Sequence, residues 1–137
     1  MFSLTRRVSF TATHRYWRAD WSDAQNRQRF GAATTAHSHD YACDVTVSGP
    51  LDEDTGMVVD LGLLDGILNR EVRSRFHGAD ITRQLPEFAD GKLIPTGENL
   101  ARFIFGRVST SLTGSAKVAS VIVREDETIS SEYTGPD

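Results

Sequence analysis

Hydrophobic and polar residues alternate along two stretches in the first third of the chain, and this alternation predicts two β-strands. The first stretch runs from Leu4 to His14, and its apolar residues share the parity on which His14 falls. The second runs from about Ala36 to Ser48, with histidines followed by apolar residues on one parity: His37, His39, Tyr41, Cys43, Val45 and Val47. Because alternate side chains of a strand point to the same face, the buried face of each strand carries histidine.

Apolar residues recur at helical spacing in two later segments. Asp60 is placed to cap a helix that ends before Gly78, with a buried stripe of Leu61, Leu64, Leu68 and Val72. Thr96 is placed to cap a second helix that Gly114 closes, with Leu100, Phe103, Ile104 and Val108 on one side. The segment from Arg15 to Thr35 has no clear period, and we expect a long, partly ordered loop there.

The end of the chain predicts a hairpin of two more strands. Residues Lys117 to Glu125 are rich in β-branched types, Asp126 and Glu127 suit a tight turn, and Thr128 to Tyr133 form a short last strand. The order ββααββ predicts an α+β fold in which one four-stranded antiparallel sheet carries two helices on one face. The open face and edges of such a sheet favour association with copies of itself.

Composition narrows the class of protein. A length of 137 residues predicts one domain over residues 1–137. One cysteine allows no internal disulfide, which suits a reducing compartment and excludes a cysteine-rich zinc ribbon. A net charge of −4 argues against nucleic acid as a partner. No apolar run approaches the roughly 20 residues of a membrane helix, and we expect a cytoplasmic protein with no membrane partner.

Three histidines are candidates for a metal site. His37 and His39 are two residues apart in a strand, so their side chains point the same way with Cα atoms roughly 6.6 Å apart. His14 supplies a third nitrogen if the two strands pair. Three neutral imidazoles with an open fourth position are typical of catalytic zinc. The alternative is that the pair lies on a half-exposed strand and binds no metal.

Other polar residues allow two interpretations each. His77 follows the first helix and is either a general acid or base or a solvent-exposed loop histidine. Glu125 falls on the buried parity of its strand, so it needs either a cationic neighbour or the paired N–H donors of a bound heterocycle. Cys43 lies too far along the strand to share a metal with both His37 and His39, and we interpret it as a small core residue.

Five motifs, in order along nearly the whole chain, resemble those of one protein family. They are Phe10-Thr-Ala-Thr-His14 for F-S-A-x-H, His37-Ser-His39-Asp-Tyr41 for H-G-H-x-Y, Gly56-Met-Val-Val-Asp60 for G-x-V-x-D, Pro95-Thr96-Gly-Glu98-Asn99 for P-T-x-E-N, and Glu125 eight residues before Tyr133. On these motifs the chain is identified as a member of the 6-pyruvoyl- and 6-carboxy-tetrahydropterin synthase family.

The resemblance implies the tunnelling fold, in which three subunits join their sheets into a barrel and two trimers stack into a hexamer with active sites between subunits. It implies that zinc is bound by His14, His37 and His39. It also implies that Glu125 accepts the N–H donors of a pterin ring, that Thr96 lies beside the ring, and that His77 transfers a proton.

The chain departs from the family pattern at its catalytic positions. The family's proton-abstracting cysteine corresponds to Ala33, and the aspartate before the catalytic histidine corresponds to Phe76. Asp80 is the remaining carboxylate that could orient His77. The central glycine of H-G-H is Ser38. Two hypotheses follow: a zinc-assisted lyase with altered chemistry on a dihydroneopterin-type substrate, or a catalytically silent protein that binds a pterin- or purine-like ligand, with or without metal.

Overall fold

A computed structural model describes residues 1–89 and 92–137 of the chain. Its centre is a four-stranded antiparallel sheet with its strands in chain order. The strands are β1 (Phe2–His14), β2 (His37–Gly49), β3 (Lys117–Arg124) and β4 (Ser130–Tyr133). The α+β fold with one antiparallel sheet, predicted from the alternation of side chains, is confirmed.

The long β1–β2 ladder runs without a break from Phe2 opposite Gly49 to His14 opposite His37. Its register is set by the apolar faces, because a slip of one residue would turn every buried side chain of a strand toward solvent. Phe10 and Tyr41 are directly opposite each other and stack with ring centroids 4.9 Å apart. The same face of both strands is therefore buried up to the end of the ladder, where the histidines lie.

Five helices lie within the described residues. They are α1 (Asp23–Phe30), α2 (Leu61–Leu68), α3 (Ser74–Phe76), α4 (Ile81–Gln84) and α5 (Gly97–Ser111). A π-helical turn, Asn69–Arg73, joins α2 to α3, so this helical segment ends before Gly78 as predicted. None of the described helices has both the length and the apolar character needed to cross a membrane.

The caps predicted for the two main helices are present. The Asp60 carboxylate accepts a hydrogen bond from the Leu63 amide at 3.2 Å, and the Thr96 hydroxyl accepts one from the Asn99 amide at 3.1 Å. Each cap satisfies an amide that has no partner within its helix. Both helices therefore begin where the sequence predicts.

The expectation of a loop over Arg15–Thr35 is wrong. Helix α1 lies within this segment, begins at a reciprocal cap between Ser22 and Gln25, and is followed by the 3₁₀ turn Gly31–Thr34. Its one fully buried residue is Asn26, whose amide side chain bonds backbone carbonyls and the Arg18 amide. Because a polar residue anchors α1, the helix has no apolar period that sequence analysis could detect.

Two residues singled out in the sequence lie in the core. Phe76 is fully buried, and its ring centroid is 5.1 Å from that of Phe10. Cys43 is fully buried opposite Val8 and Val123, and burial raises the pKa of its thiol to about 12. The interpretation of Cys43 as a core residue is confirmed, and Phe76 extends the core where the family pattern has a carboxylate.

The chain after α3 covers part of the free edge of β1. The Gly78 amide donates to the Thr11 carbonyl at 2.7 Å, and the Thr13 amide donates to the Ala79 carbonyl at 2.9 Å. Gly78 has a φ of 77°, a conformation that glycine adopts without strain. His77 and Asp80 are therefore fixed beside the last residues of β1.

The π-helical turn is held by a buried carboxylate. Glu71 is 6% exposed and lies 3.1 Å from both Arg75 and Arg107, and the Ser111 hydroxyl donates to it at 3.2 Å. Burial alone would raise the pKa of Glu71, but hydrogen bonds from Arg107 and Arg75 outweigh burial and lower it. Glu71 thus ties the π turn to α5.

We predict that Glu71→Gln lowers the free energy of unfolding by about 3 kcal/mol, because the arginines lose a buried counter-charge. Since the pKa of Glu71 is lowered by folding, its contribution is complete above the ordinary value of about 4.3 and is lost as pH falls through the lowered one. Urea unfolding at pH 7 and at acidic pH measures both effects. Asp65→Asn, which breaks the half-exposed pair with Arg6, is the control and should cost less than about 1 kcal/mol. Equal losses in the two variants would contradict the prediction.

Candidate functional site

Three histidine side chains converge at the end of the β1–β2 ladder. His14 faces His37 across the ladder, and His39 follows two residues later on the same side of β2. The ring centroid of His14 is 4.5 Å from that of His37 and 5.0 Å from that of His39. One ring nitrogen from each residue lies within 4.8 Å of the other two. This geometry is compact enough for one metal ion to contact all three.

Hydrogen bonds fix which nitrogen of two histidines is free. The Nδ1 atoms of His14 and His37 lie 2.8 Å from the carbonyl oxygens of Pro95 and Thr35. A carbonyl only accepts hydrogen bonds, so each Nδ1 carries the proton and each Nε2 has a free lone pair. The two Nε2 atoms are 2.9 Å apart. Two lone pairs that face each other at this distance repel each other unless a cation lies between them.

The third histidine shows the same need. His39 Nε2 is buried and has no hydrogen-bond partner among the described residues. A buried polar atom without a partner is costly, and a metal ion would remove that cost. Nitrogen ligands that are oriented by backbone carbonyls are typical of zinc sites. The three residues therefore fit a zinc ion.

Burial keeps His14 neutral. The side chain is fully buried, and burial is the main cause that lowers its pKa to about 4, further lowered by His37 and His39 and opposed by Pro95 and Asp80. At neutral pH the imidazole is therefore uncharged, which is the form that can bind a metal ion. The Tyr41 hydroxyl lies 3.1 Å from His14 Nδ1, and burial also raises the pKa of Tyr41, so a neutral phenol supports the ring.

The turn before α5 brings that helix to the histidines. The Asn99 side-chain amide donates to the Ile94 carbonyl at 2.9 Å, and the Thr96 hydroxyl accepts from the Asn99 amide. These bonds fix the turn that presents the Pro95 carbonyl to His14. The Pro-Thr-x-Glu-Asn motif therefore orients the His14 ring as well as capping the helix.

Glu125 lies close to the same turn. It is 8% exposed, and among the described residues it makes no ion pair. The Tyr16 hydroxyl donates to its Oε1 atom at a long 3.5 Å. An open cleft of about 500 Å³ is bordered by both Glu125 and His39. Of the two partners expected for Glu125, the cationic neighbour is absent from the described chain, and the carboxylate is free to accept hydrogen bonds.

Tyr16 is a site residue that sequence analysis missed. Its ring meets the edge of the His14 ring at 5.3 Å, and burial raises the pKa of its hydroxyl, as does Glu125. Its amide donates to the carbonyl of Ala33 at 2.8 Å, the position at which the family pattern has cysteine. Tyr16 continues the parity of His14, and this signal could have identified it.

The proposed proton-transfer residues lie elsewhere. His77 is exposed at the edge of β1, where its Nδ1 atom accepts a hydrogen bond from the Thr11 amide at 3.1 Å. The Asp80 carboxylate caps α4 by accepting from the Arg83 amide at 3.3 Å, and no hydrogen bond joins it to His77 among the described contacts. One chain therefore brings together the histidine triad, Thr96 and Glu125, and keeps His77 outside the triad.

The sheet of this α+β fold thus ends in three histidines whose ring nitrogens lie within 4.8 Å of one another, beside a buried carboxylate with no ion-pair partner among the described residues. The family model for 6-pyruvoyl tetrahydropterin synthase matches residues 3–136, and the chain belongs to that family.

Relatives and solved structures agree with this assignment. The chain is 31% identical over 135 residues to 6-pyruvoyl tetrahydrobiopterin synthase of Drosophila melanogaster, covering 97% of this chain and 79% of that protein. It is 32% identical over 111 residues to the human protein of the same name, covering 80% and 75%. The structure of Caenorhabditis elegans 6-pyruvoyl tetrahydropterin synthase superposes with a TM-score of 0.91 at 24% identity, covering 98% and 96%. The family implied by the motifs and the fold of the single chain are confirmed.

At Gly97, helix α5 packs closely against the β3–β4 hairpin. A Cβ atom at this residue would lie 2.6 Å from the Ser131 hydroxyl and 3.5 Å from Glu125 Oε1. We predict that Gly97→Ala lowers stability by about 1–3 kcal/mol through overpacking. Gly106→Ala is the control in the same helix, since nothing lies within 4 Å of its Cβ position, and should add about 0.5–1 kcal/mol. Thermal unfolding measures both effects, and midpoint temperatures that shift in the same direction for both variants would contradict the prediction.

Proposed function

We propose that this protein is a zinc-dependent lyase that acts on a reduced pterin of the dihydroneopterin type, with chemistry altered from that of the synthases. The observation that carries the proposal is the pairing of a histidine triad with free Nε2 atoms and a buried Glu125 without a counter-ion. The triad suits a metal ion that would act on the oxygens of the substrate's side chain. The Glu125 carboxylate suits a substrate ring with paired N–H donors.

His14, His37 and His39 would hold the zinc ion and leave a fourth position for the substrate. When bound, zinc supplies a Lewis acid that polarises the hydroxyl and carbonyl oxygens of the substrate side chain. The protein orients two of its ligands through the Pro95 and Thr35 carbonyls. Such oriented ligands bind without first being rearranged.

Glu125 would accept two N–H bonds from the edge of the pterin ring. These charge-assisted hydrogen bonds would compensate the carboxylate for the hydration that it loses on burial. Tyr16 would hold the carboxylate in place from the other side through its hydroxyl, and Thr96 would lie beside the ring, since Gly97 approaches Glu125 closely.

His77 would act as a proton donor in the site of a neighbouring copy. Its Nδ1 atom accepts from the Thr11 amide, so the neutral ring carries its proton on Nε2. This tautomer favours donation over abstraction. In a retro-aldol cleavage, the bond between the first two side-chain carbons breaks, and the hydroxyl of the second carbon becomes a carbonyl as its proton passes to solvent water. The first carbon then receives a proton from His77 Nε2, and His77 regains its proton from solvent.

The alternative is a protein that binds a pterin- or purine-like ligand without turnover. Ala33 stands where the family has its thiol, Phe76 is committed to the core, and Asp80 caps a helix instead of orienting His77. These three observations favour the alternative. The free triad favours the enzyme, because a binding protein has no need of an open metal position.

Self-association would complete the site. β1 and β4 are the outer strands of the sheet, and large exposed apolar residues lie at their starts, Phe2 at 54% and Ile129 at 50%. We propose that copies join through these edges into the trimeric barrel and the hexamer implied by the family. The lone buried Cys43 suits a reducing compartment, and we propose a cytoplasmic location.

We predict about one zinc ion per chain, measured by elemental analysis of the purified protein, and a new pterin product after incubation with 7,8-dihydroneopterin or its triphosphate. His37→Ala should lose both zinc and product, because it removes one of three ligands. His77→Ala should keep the zinc and lose the product. Zinc with a product in the parent protein excludes the binding-only alternative. Tight pterin binding with neither zinc nor product excludes the enzyme.

We predict that Glu125→Gln weakens pterin binding by about 1.5–3 kcal/mol, because a charge-assisted hydrogen bond is lost. The prediction holds for the enzyme and for the binding protein alike. Fluorescence titration with 7,8-dihydroneopterin measures the effect. Glu53→Gln, in the exposed turn that follows β2, is the control and should bind normally. Unchanged affinity of the Glu125 variant would place the ring elsewhere.

A further inference from the structure

A groove of about 470 Å³ lies at the end of the sheet opposite to the histidine triad. It begins where β2 ends, because Pro50 and Leu51 border it directly after Gly49. Strand β2 extends over 13 residues from His37 to Gly49, which is a distance of roughly 40 Å. The groove is therefore remote from the triad, and it takes no part in the proposed function.

Apolar side chains line this groove and remain open to solvent. Leu51 and Leu63 are 39% and 43% exposed, and Met57 and Val58, which border the same groove, are half-buried. Apolar residues that are scattered singly over a surface are ordinary, whereas apolar residues that lie together in a concave surface are typical of an interaction site. The groove therefore has the composition of a surface that another molecule covers.

The walls of the groove are already ordered in the free chain. On one side, the Asp52 amide donates to the Met57 carbonyl at 2.9 Å, and the Gly56 amide donates to the Asp52 carbonyl at 2.7 Å. On the other side, the Asp60 carboxylate caps α2 at the Leu63 amide. Binding would therefore not carry the cost of ordering these two walls.

The rim of the groove is acidic. Asp52 and Asp60 border it, and Glu53 and Asp54 continue the turn that begins at Asp52. Within the described chain, none of these four carboxylates makes an ion pair. No described residue that borders the groove is cationic, and Lys117, which begins β3, is the one cation next in the chain to a bordering residue. Four carboxylates beside one ammonium give the rim a net negative charge.

This charge decides which partner fits the groove. A second copy docked by the same face would bring its own four carboxylates against the rim, and like charges at short distance repel each other. Anionic lipid and nucleic acid would be repelled for the same reason. A basic segment of another protein gains both apolar contact and attraction between opposite charges.

The structure of the walls indicates how such a segment would bind. The described residues that border the groove lie in turns, in the connection before β3 and in α2, and none belongs to a strand of the sheet. The groove therefore offers no open strand edge to which a partner could add a strand. The remaining mode is an amphipathic helix whose apolar side chains fill the groove at spacings of three and four residues.

We propose that this groove is a docking site for a basic amphipathic helix of another protein. The apolar side chains of the helix would lie against Leu51, Met57 and Leu63, and its Lys or Arg side chains would face Asp52 and Asp54 at the rim. The site goes beyond the proposed function, since it lies at the other end of the sheet and requires neither zinc nor a pterin.

The probe for the groove is a fluorescently labelled amphipathic peptide of leucine and lysine, titrated with the full chain and followed by fluorescence anisotropy. We expect saturable binding that weakens as salt is added, because salt screens the charges of the rim. Two control peptides test the two components of the site. A peptide with glutamate in place of lysine and a peptide with serine in place of leucine should each bind at least about tenfold more weakly.

Three substitutions locate the peptide on the protein. Leu63→Gln should weaken binding about tenfold because it removes an apolar wall, and glutamine is well tolerated on an exposed helix. Asp54→Asn should weaken binding several-fold and reduce the salt dependence, because it removes one charge from the rim. Asp137→Asn is the charge-matched control, since Asp137 is exposed and does not border the groove. This variant should bind the peptide as the parent protein does, and circular dichroism checks that all three variants are folded.

Several results would overturn the docking site. They are the absence of saturable binding, equal affinity for the glutamate peptide, unchanged affinity in Leu63→Gln, and an equal loss in Asp137→Asn. Sedimentation that shows Leu63→Gln separating copies of the chain would make the groove a contact between copies. Binding to phosphatidylserine vesicles that Leu63→Gln abolishes would make it a lipid-binding surface. Either result would also overturn the proposal, and none of these measurements depends on the proposed function.

Discussion

His14 and His37 lie opposite each other at the end of the β1–β2 ladder, and their Nε2 atoms are 2.9 Å apart. This register also places His39 on the same side of the sheet, within reach of the same point. A slip of one residue in either strand would separate the imidazoles and, at the same time, turn the buried apolar side chains of that strand toward solvent. The packing that stabilises the sheet therefore enforces the geometry of the candidate metal centre.

The turn before α5 adds a second constraint. It presents the Pro95 carbonyl to His14, and the helix that follows approaches Glu125 at Gly97. One short segment thus fixes the tautomer of His14 and packs against the Glu125 carboxylate. The site spans the histidine triad and the Glu125 carboxylate because α5 and the β3–β4 hairpin pack against each other at this end of the sheet.

Sequence analysis could predict the strands, the two main helices and the side of the sheet on which the histidines meet, because each depends on local periodicity or capping. It missed α1, since the buried anchor of that helix is Asn26. It also missed the carbonyl partner of His14, which lies 81 residues away at Pro95 and carries no side-chain signal. Tyr16 falls on the same strand parity as His14, which would have placed it at the site, but it lies in the segment that was predicted to be a loop. The surroundings of His77 could not be predicted, because they depend on the covered edge of β1.

If the triad holds zinc where a pterin side chain can reach it, both the ligands and the contact will be visible in zinc-edge X-ray absorption of the zinc-loaded protein, recorded with and without 7,8-dihydroneopterin. We expect three imidazole nitrogens and at least one oxygen at about 2.0–2.1 Å, and we expect the oxygen shell to change when the pterin is added. Sulfur in the first shell, fewer than three imidazoles, or a spectrum that the pterin leaves unchanged at saturation would contradict it.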